Sequence, residues 1–140
     1  MKHQKKEHRV IEGQIPTRTY QDLRAECGLS GKTDLASEIG LQNSVHSVMI
    51  EIEGNVIGMG RLIGDGGCFC QIVDICVHPE FQGSGFGKMI MQNLSDFINE
   101  ELPSSCYVSL LADGNAYKLY EQFGFKETMP SSRGMYLSKE

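Results

Sequence analysis

The sequence has the size and composition of one globular domain. It contains 140 residues, of which 40% are hydrophobic and 22% charged, and its formal net charge is −5. A chain of this length can bury one core, and this balance excludes a disordered polypeptide. Its single short basic segment, Lys2–Arg9, is not the basic face of a nucleic-acid binder. We therefore predict a single domain over residues 1–140 that binds no nucleic acid.

Neither a membrane span nor a metal site is expected. No apolar run approaches the ~20 residues of a membrane helix, and Met1–Glu7 lacks the apolar core of a signal peptide. These features predict a cytoplasmic protein with no membrane partner. The five cysteines show no CxxC spacing, although Cys68 and Cys70 stand two apart. We expect buried free thiols in a reducing compartment rather than zinc ligands.

The first half of the chain predicts two short helices and an antiparallel meander. A first strand should end at Pro16, and Thr17 is the expected N-cap of the first helix. Glu53-Gly54-Asn55 is typical of a hairpin turn between two strands. The predicted elements are a strand over 8–15, helices over 17–27 and 33–41, and strands over 45–53, 56–63 and 68–77.

The second half predicts a crossover connection. Apolar residues recur at helical spacing between Gly85 and Glu101, which indicates an amphipathic helix. A buried strand over 107–112, a helix over 116–123 and a closing strand or hairpin over 126–139 should follow. The strand–helix–strand order predicts that strands 68–77 and 107–112 are adjacent and parallel. The expected fold is α/β (α+β), with a mixed, mostly antiparallel sheet around a central parallel pair and flanking helices.

The segment between the third meander strand and the long helix is typical of an anion-binding turn. Gly83, Gly85 and Gly87 stand at alternate positions, which allows a tight turn and close approach of a ligand. The N–H groups and dipole at a helix start favour a phosphate, and Lys88 adds a positive charge. The spacing fits neither a Walker loop nor a dinucleotide fingerprint. Glycines that serve only the geometry of the turn are the alternative.

Two sequence blocks resemble the GNAT superfamily of N-acetyltransferases. Gln82–Gly87 is similar to the family's Gln/Arg-x-x-Gly-x-Gly/Ala pattern after an apolar strand. Ala116–Phe125 is similar to its Ala-x-x-Leu-Tyr-x-x-x-Gly-Phe pattern. The resemblance implies a GNAT-like domain in which the two parallel strands splay apart, and an enzyme that uses acetyl-CoA as co-substrate without a metal.

The resemblance also implies how acetyl-CoA is held. The main chain of residues 75–77 would pair with the pantetheine arm, and an amide near Val77 would polarise the thioester carbonyl. Amides of the glycine-rich turn would hold the pyrophosphate. One departure is Asp113, because many members carry Asn at that position. The implied cofactor-binding residues are Ile75, Cys76, Val77, Gln82, Gly83, Ser84, Gly85, Phe86, Gly87, Lys88 and Tyr120.

Tyr120 and Asp74 are the predicted catalytic residues. Tyr120 matches the tyrosine that often protonates the departing thiolate in the family. A neutral phenol with a pKa of ~10 suits a thiolate leaving group with a pKa near ~8.5. A tyrosine that only packs on the sheet is the alternative, and Tyr117 is the nearest rival.

A general base must take a proton from the amine before attack. Asp74 lies on the predicted cofactor strand, although alternation places it opposite Val73, Ile75 and Val77. Other carboxylates, at positions 51, 53 and 65, and a chain of water molecules are alternatives. Arg61 either lines the acceptor pocket or faces solvent.

The predicted function is acetyl transfer from acetyl-CoA to a primary amine by direct attack in a ternary complex. The acceptor can be a small molecule or a protein amine, and the sequence does not distinguish them. A non-catalytic acyl-CoA-binding sensor or interaction module is the alternative function. A homodimer is the commonest arrangement for a small enzyme, and the sequence leaves the oligomeric state open.

Overall fold

A mixed five-stranded sheet forms the centre of the larger part of the chain. The computed structural model describes residues 7–139, so most of the basic segment Lys2–Arg9 lies outside the described residues. The strand order is β1-β2-β3-β4-β5, antiparallel except for the parallel pair β4–β5. The elements are β1 (His8–Glu12), α1 (Thr17–Glu26), α2 (Asp34–Gln42), β2 (His46–Ile52), β3 (Asn55–Gly64), β4 (Phe69–Val77), a 3₁₀ turn (Pro79–Phe81), α3 (Phe86–Glu101), β5 (Tyr107–Leu110) and α4 (Tyr117–Glu121).

The predicted meander and its turns are confirmed, with small changes at element ends. Glu53 and Gly54 both have positive φ, 51° and 82°, as a hairpin turn between twisted strands requires. Thr33 caps α2, because its side chain accepts a hydrogen bond from the Ala36 amide at 3.1 Å. The expectation that Thr17 caps α1 is wrong, since Pro16 occupies the cap position and Thr17 is already helical.

Helices cover both faces of the sheet. Adjacent strand residues point to opposite faces, and Gly60 and Arg61 on β3 show which helices lie on each side. A Cβ built on Gly60 would approach Ile90 and Leu94 of α3, whereas the Arg61 guanidinium reaches Gly40 of α2. The core against α1 and α2 contains Ile15, Tyr20, Leu23, Leu41, Met49, Met59 and Cys76.

The parallel pair is confirmed, but it lies at one edge of the described sheet rather than at its centre. Its ladder joins Phe69–Ile72 to Tyr107–Leu110 and stops there. β4 continues to Val77, so its last five residues are paired only with β3 among the described strands. Parallel pairing between β4 and β5 therefore ends halfway along β4.

The last part of the chain forms a separate small unit that begins at Leu111. Its only described helix is α4, and the predicted closing strand over 126–139 is wrong because no strand forms there. The sequence gives a physical reason: Pro130 and Gly134 interrupt the segment, and Met135–Leu137 are three consecutive apolar residues without alternation. All three side chains are exposed.

The close approach of α3 to β3 predicts that Gly60→Ala destabilises the protein. The new Cβ would lie 2.7 Å from Cγ2 of Ile90 and 3.1 Å from Cδ1 of Leu94, and both residues are fully buried. Overpacking of this kind costs about 1–3 kcal/mol. Urea denaturation measures the loss, and Gly31→Ala is the control because a Cβ there meets no atom within 4 Å. Equal stability of the two variants would contradict this packing.

Candidate functional site

The glycine-rich turn connects the end of β4 directly to the start of α3. Gly83 and Gly85 have φ values of 82° and 89°, a region that residues with a Cβ rarely adopt. The Gln82 side chain folds back, and its Nε2 donates to the Val77 carbonyl at 3.0 Å. The His78 amide donates to the Ile57 carbonyl at 2.7 Å. These bonds fix the turn to the last residues of the strand.

The turn presents a group of backbone amides that have no acceptor in the described protein. Within residues 7–139, none of the N–H groups from Gly83 to Lys88 donates to another residue, and the first amide of α3 to do so is that of Met89, to Gly85. No side chain caps the helix. Unpaired amides and the positive end of a 16-residue helix dipole favour an anion at this point. Of the predicted pyrophosphate-binding amides, Gln82 to Lys88, those of Gly83 to Lys88 are available to an anion, whereas the Gln82 amide donates to the Pro79 carbonyl at 3.4 Å.

The last residues of β4 expose a second set of main-chain groups. Val73–Val77 have no partner strand on the side where β5 pairs with the preceding residues. An extended ligand chain with amide groups can pair with such an edge as a strand does. The predicted contact residues Ile75, Cys76 and Val77 lie in this stretch and lead into the glycine-rich turn.

The side chain of Cys76 does not take part in this edge. It is buried against α1, beside the Cys27 thiol, and burial raises the pKa of both thiols, most strongly that of Cys76. The Cys76 side chain is therefore not available to a ligand on the open edge. All five cysteines are free thiols, but the expectation that they are buried holds only for Cys70 and Cys76, since Cys27 and Cys106 are partly exposed and Cys68 is exposed.

Asp74 lies at the centre of a buried polar network. Its carboxylate accepts hydrogen bonds from Arg24 Nη1 at 2.5 Å, Arg61 Nε at 2.8 Å and the Tyr20 hydroxyl at 3.0 Å. The side chains of Asp74, Arg24 and Arg61 are 8–9% exposed. Burial, and next the Asp74 carboxylate, raise the pKa of Tyr20, so the phenol stays neutral and donates. The base role of Asp74 stays a prediction.

The second sequence block forms α4 and the turn after it. Tyr120 is half-buried and makes an edge-to-face contact with Phe125, with ring centroids 6.5 Å apart. Burial, and to a smaller degree the Asp113 carboxylate, raise the pKa of Tyr120 above 10.0. The phenol is therefore protonated at neutral pH, the state that an acid needs. Tyr117, the rival, is exposed.

Comparison with known proteins identifies the family. The family model described as "Acetyltransferase (GNAT) domain" matches residues 16–136. The chain belongs to the GNAT acetyltransferase family. The two blocks that resembled the family, one in β4–α3 and one in α4, both lie inside the matched region.

A solved structure and two curated proteins illustrate the relationship. A protein of unknown function from meticillin-resistant Staphylococcus aureus, described as a probable acetyltransferase, is 42% identical with a TM-score of 0.88, over 94% of this chain and 99% of that one. "Uncharacterized N-acetyltransferase ycf52" of Pyropia yezoensis is 28% identical over 71% of this chain. "GCN5-related N-acetyltransferase 2, chloroplastic" of Arabidopsis thaliana is 31% identical over 60% of it. The matches span 58% and 32%, respectively, of the two curated proteins' own lengths.

Two kinds of feature are absent from the described residues. Within residues 7–139, no helix has the length and hydropathy to cross a membrane. In the same residues, no group of three or more His, Cys, Asp or Glu side chains is arranged to hold a metal ion.

The sequence interpretation missed most of the Asp74 network. Arg61 is buried and donates to the Gly40 carbonyl of α2, so the expectation that it faces solvent is wrong, while a place in the acceptor pocket stays a prediction. Tyr20 and Arg24, both on α1, complete the network, and the sequence analysis assigned neither of them to the site. The available signal was their spacing of four residues, which puts both side chains on the helix face that the apolar residues bury.

The buried charges predict that Asp74→Ala strongly destabilises the fold. Removal of the carboxylate leaves the Arg24 and Arg61 guanidinium groups buried without an anion, a loss of about 3–5 kcal/mol. Tyr20→Phe removes only one hydrogen bond and should lose about 1 kcal/mol. Chemical denaturation compares both with Arg9→Ala, which breaks an exposed pair with Glu51 and should change stability by less than about 1 kcal/mol. An Asp74→Ala loss as small as that of Arg9→Ala would refute this ranking.

Proposed function

We propose that the protein is an N-acetyltransferase that transfers the acetyl group of acetyl-CoA to a primary amine. The observation that carries the proposal is one continuous segment, residues 73–88, that combines an unpaired strand edge with six amides that have no acceptor within the described chain. The pantetheine arm of coenzyme A carries two amide groups that suit the edge, and its pyrophosphate suits the amides of the turn. Membership of the acetyltransferase family supports the same ligand.

In the proposed reaction the amine nitrogen attacks the thioester carbonyl carbon directly. The new C–N bond forms, the C–S bond breaks, and the coenzyme A thiolate takes one proton. The amine nitrogen gives one proton to water, and water returns a proton to the Tyr120 phenol after the transfer. A main-chain amide near Val77 stabilises the oxyanion, and Tyr120 donates the proton to the thiolate. The Tyr120 assignment is supported by the family pattern and by the raised pKa of its phenol, which keeps the proton available at neutral pH.

The acceptor is proposed only by class, as a primary amine of a small molecule or of a protein. Similar structures include a glucosamine-6-phosphate N-acetyltransferase of Arabidopsis thaliana at 18% identity and a ribosomal-protein-S18-alanine N-acetyltransferase of Escherichia coli at 14%. Identities this low support the fold alone. A homodimer stays a prediction. A cytoplasmic location also stays a prediction, since two of the curated relatives are named as chloroplastic.

Substitution of Tyr120 tests the proposed chemistry. Tyr120→Phe should lower kcat about a hundredfold or more, with unchanged affinity for acetyl-CoA, because it removes the proton donor and keeps the ring. Because the pKa of the Tyr120 phenol is raised, wild-type activity should fall only above pH 10 as the phenol ionises, and the variant should lose that alkaline limb. Release of free thiol with a panel of polyamines, aminosugars, amino acids, arylalkylamines and lysine peptides measures the rate.

Tyr117→Phe is the matched control, since Tyr117 is one turn away on the same helix. Its rate should equal that of the wild type. A larger loss in Tyr117→Phe than in Tyr120→Phe would transfer the acid role to Tyr117. If acetyl-CoA binds tightly but no amine in the panel is acetylated, the sensor function is favoured over the enzyme.

Substitution in the turn tests the binding site. Gly85→Val places a branched side chain at φ 89°, so the turn should rearrange and its amides lose their common direction. We expect acetyl-CoA affinity, measured by titration calorimetry, to fall about tenfold or more. Gly66→Val is the control, because Gly66 also has a positive φ of 75° but lies in the β3–β4 turn. Equal affinity of the two variants would contradict the assignment.

A further inference from the structure

A β-bulge interrupts β4 where the proposed cofactor segment begins. Val73 pairs with Arg61 and Cys76 pairs with Met59, so Asp74 and Ile75 together lie opposite the single residue Gly60. Asp74 has a φ of 62°, in the left-handed region that residues other than glycine seldom adopt. Such a conformation persists only where the surrounding structure holds it. The bulge therefore needs contacts that fix it, and it sets the direction of the strand from Ile75 onward.

The contacts that fix the bulge come from the α1–α2 side of the sheet. Arg24 binds Asp74 and also donates to Ser30, from Nε to the carbonyl at 2.8 Å and from Nη2 to the hydroxyl at 3.1 Å. Arg61 binds Asp74 and also donates from Nη1 to the Gly40 carbonyl at 3.0 Å and the Ser44 hydroxyl at 2.9 Å. One carboxylate thus joins α1, the loop after it and the end of α2 to the bulge.

The same contacts leave Asp74 badly placed to act as a base. Oδ1 accepts from Arg24, and Oδ2 accepts from both Tyr20 and Arg61. A base needs a lone pair that reaches the proton it removes, and both oxygens of this buried carboxylate are already engaged. The network is suited to hold the main chain of Asp74 in place.

We propose that Tyr20, Arg24 and Arg61 are positioning residues that act through Asp74. They hold the bulge so that the main-chain groups of Ile75–Val77 are directed at the pantetheine arm of acetyl-CoA. This inference rests on the proposed function, and it replaces the base role of Asp74 with a positioning role. The glycine-rich turn, which holds the pyrophosphate, is attached to β3 beyond the bulge, because the His78 amide donates to the Ile57 carbonyl.

Because the pantetheine arm and the pyrophosphate contact different parts of the site, their binding can be compared separately. Residues that only stabilise the fold would not weaken binding of one ligand and spare the other. Titration calorimetry compares acetyl-CoA with 3′-phospho-ADP, the nucleotide half of coenzyme A, which has the pyrophosphate but no pantetheine arm. Tyr20→Phe and Arg61→Met should weaken acetyl-CoA binding about tenfold and change 3′-phospho-ADP binding less than about twofold. Arg61→Lys keeps a cation beside Asp74 and should recover part of the lost affinity.

The controls separate positioning from loss of stability. Tyr20→Phe keeps the ring and is expected to fold, and circular dichroism checks each variant. Ile50→Val removes one methylene from a fully buried residue on β2 and should change neither affinity. Equal weakening of both ligands, or unchanged acetyl-CoA affinity in Tyr20→Phe and Arg61→Met, would overturn the positioning role. A wild-type protein that binds neither ligand overturns the proposed function, and this inference with it.

Discussion

The buried carboxylate of Asp74 connects the helices on one face of the sheet to a single point on β4. Two guanidinium groups and a phenol surround it, and the Arg24 and Arg61 guanidiniums also lie 5.6 and 5.4 Å from the Tyr20 ring centroid. A buried ion pair contributes less net stability than its Coulomb attraction implies, because both ions lose their hydration. Loss of one partner, however, leaves an unpaired charge in the core. The folded protein therefore needs all the partners of the Asp74 carboxylate, and their contacts hold the bulge in β4.

The two edges of β4 differ in their pairing. On the β3 side the strand keeps its antiparallel partner to Val77, while on the other side parallel pairing ends at Ile72. The strand then leads within six residues into the amides of the glycine-rich turn. α3 supplies the positive end of its dipole and also packs Ile90 and Leu94 against Gly60, opposite the bulge. The same helix, α3, thus supports the strand and contributes to anion binding.

The sequence predicted the parts of this structure that depend on local patterns. Glu53-Gly54 required a turn with positive φ, and the helical spacing of apolar residues after Gly85 indicated α3. The anion-binding turn was predictable because its glycines and the following helix lie together in the chain. The Asp74 network was not, since its members lie up to 54 residues apart and no local pattern pairs them. The closing strand was predicted wrongly because Pro130 and Gly134 interrupt that segment and its apolar residues do not alternate.

The central claim is that the amides of the β4–α3 segment bind acetyl-CoA, and nuclear magnetic resonance tests it most directly. Uniformly ¹⁵N-labelled protein is titrated with acetyl-CoA, and the shift of each assigned amide is followed. The account predicts that the largest changes fall on the amides of Gly83–Lys88 and of Ile75–Val77, with little change on β1 and β2. Saturable changes confined to other parts of the chain, or no changes at all, would contradict it.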